Sequence, residues 1–174
     1  KQYLNIPVSL ITDDSKWLYT NYEDHPFDKV VEVPVTQTQG RTFFDGSLSK
    51  KQLEWKNLSR TQVYNLTPYD RTLVLDSDYI LNSSILKTAL DNSYDFQIYK
   101  ESFDLASHRD PGAFKRINAY SVPFYWATVF IFHKNVITQA FFDLVDYIKH
   151  NWIYFRTLYS IEAPAFRNDI AFSI

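Results

Sequence analysis

The sequence contains no cysteine and no methionine, and it has only three glycines among 174 residues. Without cysteine the chain has neither a disulfide framework nor a thiolate metal site. This absence fits a reducing compartment, and we expect a cytoplasmic location. Three glycines are too few for a Gly-rich phosphate loop, which excludes a sugar-nucleotide pyrophosphorylase. No apolar run approaches the roughly 18 residues of a membrane-spanning helix, so we expect no membrane span.

A strong excess of charge of one sign is also missing, because the formal net charge is −2. A net charge this close to zero does not indicate nucleic-acid binding by the chain as a whole. Apolar residues make up 45% and aromatic residues 18% of the chain, which indicates a folded core rather than disorder. We expect a single domain over residues 1–174. Position 1 is Lys1, and Asn168–Ile174 resembles a helix that stops in its second turn. We therefore expect the domain to be truncated at one or both ends.

Short apolar runs alternate with helical patterns along the chain. The predicted strands are Pro7–Thr12, Lys29–Val33, Thr72–Asp76, Phe96–Tyr99 and Phe124–His133. The predicted helices are Ser15–Tyr22, Lys50–Asn65, a segment from Ser83 or Ser84 to about Leu90, and a long segment after Asn135. The polar segments Thr36–Leu48 and Glu101–Ser121 are predicted loops. This order predicts an α/β domain with a mostly parallel central sheet flanked by helices.

The main chemical signal is a pair of acids at the end of a predicted buried strand, Thr72–Asp78 (TLVLDSD). In open α/β sheets ligands bind beyond the carboxyl ends of the strands. Residues two apart in extended backbone point to the same side, so Asp76 and Asp78 are expected to converge. Mg²⁺ commonly binds one or two carboxylates and completes its shell with water and substrate phosphates. Asp-x-Asp alone is a weak motif, but a charge directly after Leu73–Leu75 is costly unless it is solvated, paired or metal-bound.

The segment Trp55–Asn82 resembles the donor-site core of GT-A-fold glycosyltransferases. In these families a helix with Lys or Arg precedes a Pro-containing turn, and a strand ending in Asp-x-Asp follows. The matching positions, in order, are Lys56, Arg60, Pro68, Asp70 and Leu73–Asp78. The resemblance is good over this segment and loose over about two-thirds of the chain. It implies a GT-A-like, Rossmann-like nucleotide-sugar-binding fold.

The resemblance also implies an activity: metal-dependent transfer of a sugar from a nucleotide-diphosphate sugar. Asp76 and Asp78 would hold Mn²⁺ or Mg²⁺ against the diphosphate, with Asp76 on the ribose as the alternative. A UDP- or GDP-sugar is the expected donor, and the acceptor is left open among glycan, protein, lipid and nucleic acid. The implied donor-binding residues are Thr12, Asp13, Asp14, Lys56, Arg60, Asp76, Ser77, Asp78 and Trp126. Asp169 is the implied catalytic base or sugar-contacting acid, and inversion and retention both stay open.

Each of these positions also has a purely structural interpretation. The residues after the first strand, Thr12–Asp14, suit an ordinary turn and helix cap. Lys56 and Arg60 suit a solvated helix face, and Trp126 suits core packing. Asp169 suits the first turn of a helix, where the helix dipole favours an acid.

Two other functions fit the acidic strand end. A haloacid-dehalogenase-like phosphatase also places Asp-x-Asp after an apolar strand, with Asp76 as nucleophile and Asp78 as acid/base. That family needs a later pair of acids at a strand end, which the sequence does not show. A non-catalytic domain that binds a nucleotide sugar, or only forms an interface, is the second alternative.

Overall fold

A computed structural model of the chain describes residues 2–33, 39–44, 50–55, 57–102, 115–118 and 121–174. Its strands are β1 (Ser9–Thr12), β2 (Lys29–Glu32), β3 (Gln39–Phe44), β4 (Lys50–Trp55), β5 (Arg71–Leu75), β6 (Phe96–Tyr99) and β7 (Trp126–His133). Its α-helices are α1 (Ser15–Asn21), α2 (Val63–Leu66), α3 (Ile85–Leu90), α4 (Val136–His150), α5 (Trp152–Leu158) and α6 (Asn168–Ser173). A 3₁₀ helix covers Asn57–Gln62. The predicted mixture of helices and strands is confirmed.

The strands pair in three small sheets. β1 and β2 pair in parallel, and β3 and β4 form an antiparallel pair. The third sheet has the order β5-β7-β6, and β7 is antiparallel to both neighbours. Among the described strands only β1 and β2 are parallel, so the predicted mostly parallel central sheet is not found there. A strand buried on both faces has the same continuous apolar sequence in either direction, so its sequence did not reveal its orientation.

Strand β7 lies at the centre of the hydrophobic core, between β5 and β6. Phe130 and Phe132 are almost fully buried, and α4 and α6 pack against them. Asn135 caps α4, since its side chain accepts hydrogen bonds from the backbone N–H groups of Ile137 and Thr138. The core helices contribute mainly Phe142, Val145, Ile148, Ile170 and Phe172. This packing fixes the position of both ends of β7.

The segment before β5 differs most from its prediction. β3 lies within the predicted loop Thr36–Leu48, and β4 takes up the first part of the predicted helix Lys50–Asn65. The rest of that helix is a 3₁₀ helix followed by the short α2. The sequence of β4 has Leu53 and Trp55 two positions apart, which is the period of a strand. Pairing with β3 therefore prevailed over the predicted helix.

Within the part of the chain that the structure describes, no helix combines the length and the apolar character needed to cross a bilayer.

Candidate functional site

Three strand ends meet at one edge of the β5-β7-β6 sheet. Because β7 is antiparallel to both neighbours, the carboxyl ends of β5 and β6 lie beside the beginning of β7. Leu75 pairs with Val129, and the Asp76 N–H donates to the carbonyl oxygen of Thr128 at 3.2 Å. Tyr99 pairs with Trp126 on the other side. We call the residues at this edge that carry charge, namely Arg60, Asp76, Asp78, Arg167 and Asp169, the acidic edge.

Arg60, in the last turn of the 3₁₀ helix, extends onto this edge. Its Nη2 group forms an ion pair with Oδ1 of Asp76, and its Nη1 group donates to the carbonyl oxygen of Ala127. The Arg60 side chain is 13% exposed and that of Asp76 is 25% exposed. The predicted solvated helix face is therefore wrong for Arg60. One guanidinium joins the end of β5 to the beginning of β7.

The electrostatics of Arg60 involve the other two acids of the edge. Burial lowers the pKa of the Arg60 guanidinium, and the negative charges of Asp169 and Asp78 act against this shift. A guanidinium stays protonated in proteins at ordinary pH, so Arg60 is a permanent positive charge. Three carboxylates that the sequence places in two distant segments thus share one partly buried cation.

Asp169, in the first turn of α6, is held on both carboxylate oxygens. Oδ1 accepts a hydrogen bond from the Ala127 N–H at 2.9 Å, and Oδ2 forms an ion pair with Nη2 of Arg167 at 3.1 Å. The peptide groups of Ala127 therefore bind Asp169 through the N–H and Arg60 through the carbonyl. Since Ala127 is fully buried, these bonds satisfy backbone groups that water does not reach. The interpretation of Asp169 as a first-turn acid fits this position.

Asp78 lies beyond the strand, in a turn closed by the Tyr79 N–H and the Asp76 carbonyl oxygen at 3.0 Å. Both Ser77 and Asp78 are exposed. The strand ends at Leu75, so the expected convergence of the two carboxylates through extended backbone does not apply. Asp78 instead presents its carboxylate to solvent at the rim of the acidic edge.

Trp126 is the first residue of β7 and is half-buried. Its ring packs edge-to-face on Phe124, with ring centroids 5.0 Å apart and planes at 75°. It also packs against the hydrophobic core. Core packing therefore accounts for the buried part of Trp126, and its backbone directly precedes Ala127, which binds Arg60 and Asp169.

The turn after β1 has a different environment. Oδ1 of Asp14 accepts a hydrogen bond from the Trp17 N–H at 2.8 Å and so caps α1. The Asp14 N–H donates to Oγ1 of Thr12 at 3.1 Å. These bonds fit the interpretation of Thr12–Asp14 as turn and cap. β1 is joined to the segment before β5 by the hydroxyls of Ser9 and Tyr69, 2.6 Å apart.

Carboxylates are suitable ligands for a hard cation, but the carboxylates of the acidic edge differ in how accessible they are to one. Asp78 is exposed, whereas Asp76 is already bound to Arg60. Within the described residues no group of three or more His, Cys, Asp or Glu side chains is placed to hold a metal ion. Mg²⁺ typically binds one or two carboxylates and takes its other oxygens from water and phosphates. The donor set therefore fits an ion shared with a phosphorylated ligand and does not form an all-protein cage.

The structure brings together Arg60, Asp76, Asp78 and Asp169 from the predicted set. Exposed Ser77 lies between the first two acids, and Trp126 precedes Ala127 in β7. Lys56 lies outside the described residues. Sequence reasoning missed the contribution of Ala127, because a backbone group has no signature in the side-chain sequence. It also missed the ion pair of Arg167 with Asp169. The only available signal was the placement of Arg and Asp two positions apart at a helix start.

No protein-family model, no curated protein sequence and no solved structure gave a significant match to this chain.

Proposed function

We propose that the chain is a metal-dependent glycosyltransferase of the GT-A type, which transfers a sugar from a nucleotide-diphosphate sugar. The observation that carries the proposal is the meeting of Arg60, Asp76 and Asp169 at one sheet edge. These residues were selected from the sequence for donor binding and catalysis, and they come from distant segments. The GT-A-like arrangement of the whole chain is part of the proposal.

The proposed roles follow from exposure and charge. Asp78, which faces solvent, would bind Mn²⁺ or Mg²⁺ first, and Asp76 would add a second carboxylate. The donor diphosphate would complete the shell of the ion, and Arg60 would bind its phosphate oxygens. When bound, the ion would neutralise the charge that develops on the leaving diphosphate. The turn Thr12–Asp14 is assigned to the nucleoside end of a UDP- or GDP-sugar.

Trp126 and Asp169 complete the proposed site. The exposed part of Trp126 would contact the donor sugar. Asp169 would act on the acceptor hydroxyl or contact the sugar, although its two oxygens already bind Ala127 and Arg167. A general base must reach the proton that it removes. Asp169 would therefore have to release one of these partners.

That constraint favours a second candidate, a domain that binds the nucleotide sugar without transferring it. Asp169 would then be a structural link between α6 and β7, as its two contacts suggest. The phosphatase alternative is less well supported. Its nucleophile would be Asp76, whose carboxylate is bound by a guanidinium rather than placed next to an open phosphate site.

A thermal-shift screen tests the proposal. UDP, GDP, CDP and ADP are added with and without Mn²⁺, and the melting temperature is measured for the wild type and for Asp78→Asn. We expect one nucleotide to raise the melting temperature in a Mn²⁺-dependent way, because a ligand that binds only the folded state stabilises it. The Asp78→Asn variant should lose this increase. Asp24→Asn, at another exposed aspartate, is the matched control and should keep it.

The proposed site is wrong if no nucleotide shifts the melting temperature of the wild type. It is also wrong if Asp78→Asn keeps the full Mn²⁺-dependent shift.

A further inference from the structure

Asp76 is the one carboxylate of the acidic edge that is both partly buried and bound directly by Arg60. The Arg60 guanidinium lies between two acceptors: its Nη2 group binds Oδ1 of Asp76 and its Nη1 group donates to the carbonyl oxygen of Ala127. A divalent cation that binds Asp76 would compete with a positive charge that is already there. This competition is not visible in the sequence, and it changes how much Asp76 and Asp78 each contribute to cation binding.

We propose that Arg60 is the built-in counter-ion of Asp76, and that a divalent cation binds Asp76 only after the guanidinium has left that carboxylate. This inference rests on the proposed nucleotide–metal site. Of the three carboxylates of the acidic edge, Asp76 and Asp169 each form an ion pair with an arginine, and Asp78 is the exposed one. Metal binding to the free protein is therefore weak and depends on Asp78 rather than on Asp76.

A nucleoside diphosphate provides the other half of the exchange. A guanidinium binds phosphate oxygens through two parallel hydrogen bonds, as it does a carboxylate. When the diphosphate binds Arg60, Asp76 is released to the cation. Each ligand then raises the affinity for the other, because coupling between two sites is reciprocal. Arg60 is thus a positioning residue that makes metal and nucleotide binding cooperative.

The backbone around Arg60 has other hydrogen bonds that would hold it in place when Arg60 moves from Asp76 to a diphosphate. Asp169 holds the N–H of Ala127, so the start of β7 stays attached to α6 when the Ala127 carbonyl loses Arg60. The backbone of Asp76 stays bonded to Thr128. Only the side chain of Arg60 has to move.

The test is a titration of Mn²⁺ into the free protein, with unbound Mn²⁺ measured by electron paramagnetic resonance. Arg60→Gln should bind Mn²⁺ about tenfold more tightly than the wild type, the scale of one partly buried ion pair. Arg71→Gln is the matched control. It removes the same charge from a half-buried arginine at the other end of β5. Arg71 is five residues before Asp76, which is roughly 17 Å in extended backbone and longer than the distance over which salt screens charges. Its Mn²⁺ affinity should be unchanged.

Variants of the two acids test the same claim independently. In the wild-type background Asp76→Asn should leave Mn²⁺ affinity almost unchanged, whereas Asp78→Asn should remove most of it. In the Arg60→Gln background Asp76→Asn should abolish the gain, because the effects of residues in direct contact are not additive. If Arg60→Gln fails to melt cooperatively, the comparison of Asp76→Asn with Asp78→Asn in the wild type decides the matter alone.

The competition is refuted if folded Arg60→Gln binds Mn²⁺ no more tightly than the wild type. It is equally refuted if Asp76→Asn weakens Mn²⁺ binding of the wild type as much as Asp78→Asn does. The nucleotide screen separates this result from the proposed function. A gain in Arg60→Gln without any nucleotide binding refutes the glycosyltransferase and the nucleotide half of the exchange, but it keeps the competition between Arg60 and the cation for Asp76. Nucleotide binding without that gain keeps the glycosyltransferase and refutes the exchange.

Discussion

Two strands of this chain end in a pair of acids, and Asp14 of the first pair has different contacts from Asp76 of the second. After β1, the hydrogen bonds of Asp14 to the described residues join it to Thr12 and Trp17, in the same turn. After β5, the contacts of Asp76 lead through Arg60 and Ala127 to Asp169, which is 93 positions later in the sequence. Similar sequence signals thus produced a local helix cap in one place and a long-range charged cluster in the other. Contacts between distant segments, rather than the acids alone, distinguish a candidate site from a turn.

The largest expected effect lies in the core beneath the acidic edge. Phe130 of β7 is 1% exposed and packs on Phe96 and Phe172. Phe130→Ala should lower the free energy of unfolding by about 3–5 kcal/mol, as large-to-small changes in cores do. Ile11 of β1 is 38% exposed, and Ile11→Ala should cost less than about 1 kcal/mol. Chemical denaturation of both variants measures the difference, and equal losses would contradict the contrast between the two strands.

A smaller effect on the free energy of unfolding should distinguish Asp169, which contacts a distant segment, from Asp14, which caps a helix locally. Asp169→Ala leaves the buried Ala127 N–H without its acceptor and should cost about 1–3 kcal/mol. Asp14→Ala removes only a helix cap and should cost about 1 kcal/mol. Urea unfolding at neutral pH compares the two variants. A larger loss in Asp14→Ala than in Asp169→Ala would mean that the contacts of Asp169 add little to the fold.

The smallest expected effect concerns ligand binding at the turn after β1. Asp13→Asn should weaken nucleotide binding about threefold, the scale of an interaction of under 1 kcal/mol. The change should be the same with and without Mn²⁺, because the turn is assigned to the nucleoside and not to the cation. Calorimetric titration of the nucleotide that gives the largest melting shift measures it. A loss that appears only with Mn²⁺ would place Asp13 with the metal ligands instead.

The sequence predicted the strands of the β5-β7-β6 sheet, but it did not predict how they pair. β5, β6 and β7 were found because their apolar runs are short and bounded by polar residues. Asp76 followed from the same run. Arg60 was selected as part of a predicted helix, and that segment is instead a strand, a 3₁₀ helix and the short α2. Its contact with Asp76 was not part of that prediction.

The remaining features depend on contacts that no local pattern encodes. The antiparallel direction of β7 results from how distant segments pack, and a buried strand looks the same in both directions. The role of Ala127 comes from its backbone groups, which every residue except proline has. The ion pair between Arg60 and Asp76 became visible only when the 3₁₀ helix was placed against the end of β5.

The most direct test of the central claim is the release of nucleoside diphosphate from UDP- and GDP-sugars in the presence of Mn²⁺. The wild type should release nucleoside diphosphate by transfer or slow hydrolysis, and chelation of Mn²⁺ should stop the release. Asp78→Asn should show none, while Asp24→Asn should match the wild type. Mn²⁺-dependent nucleotide binding without any release would support the binding domain instead. Undiminished release by Asp78→Asn would contradict the proposed metal site at the end of β5.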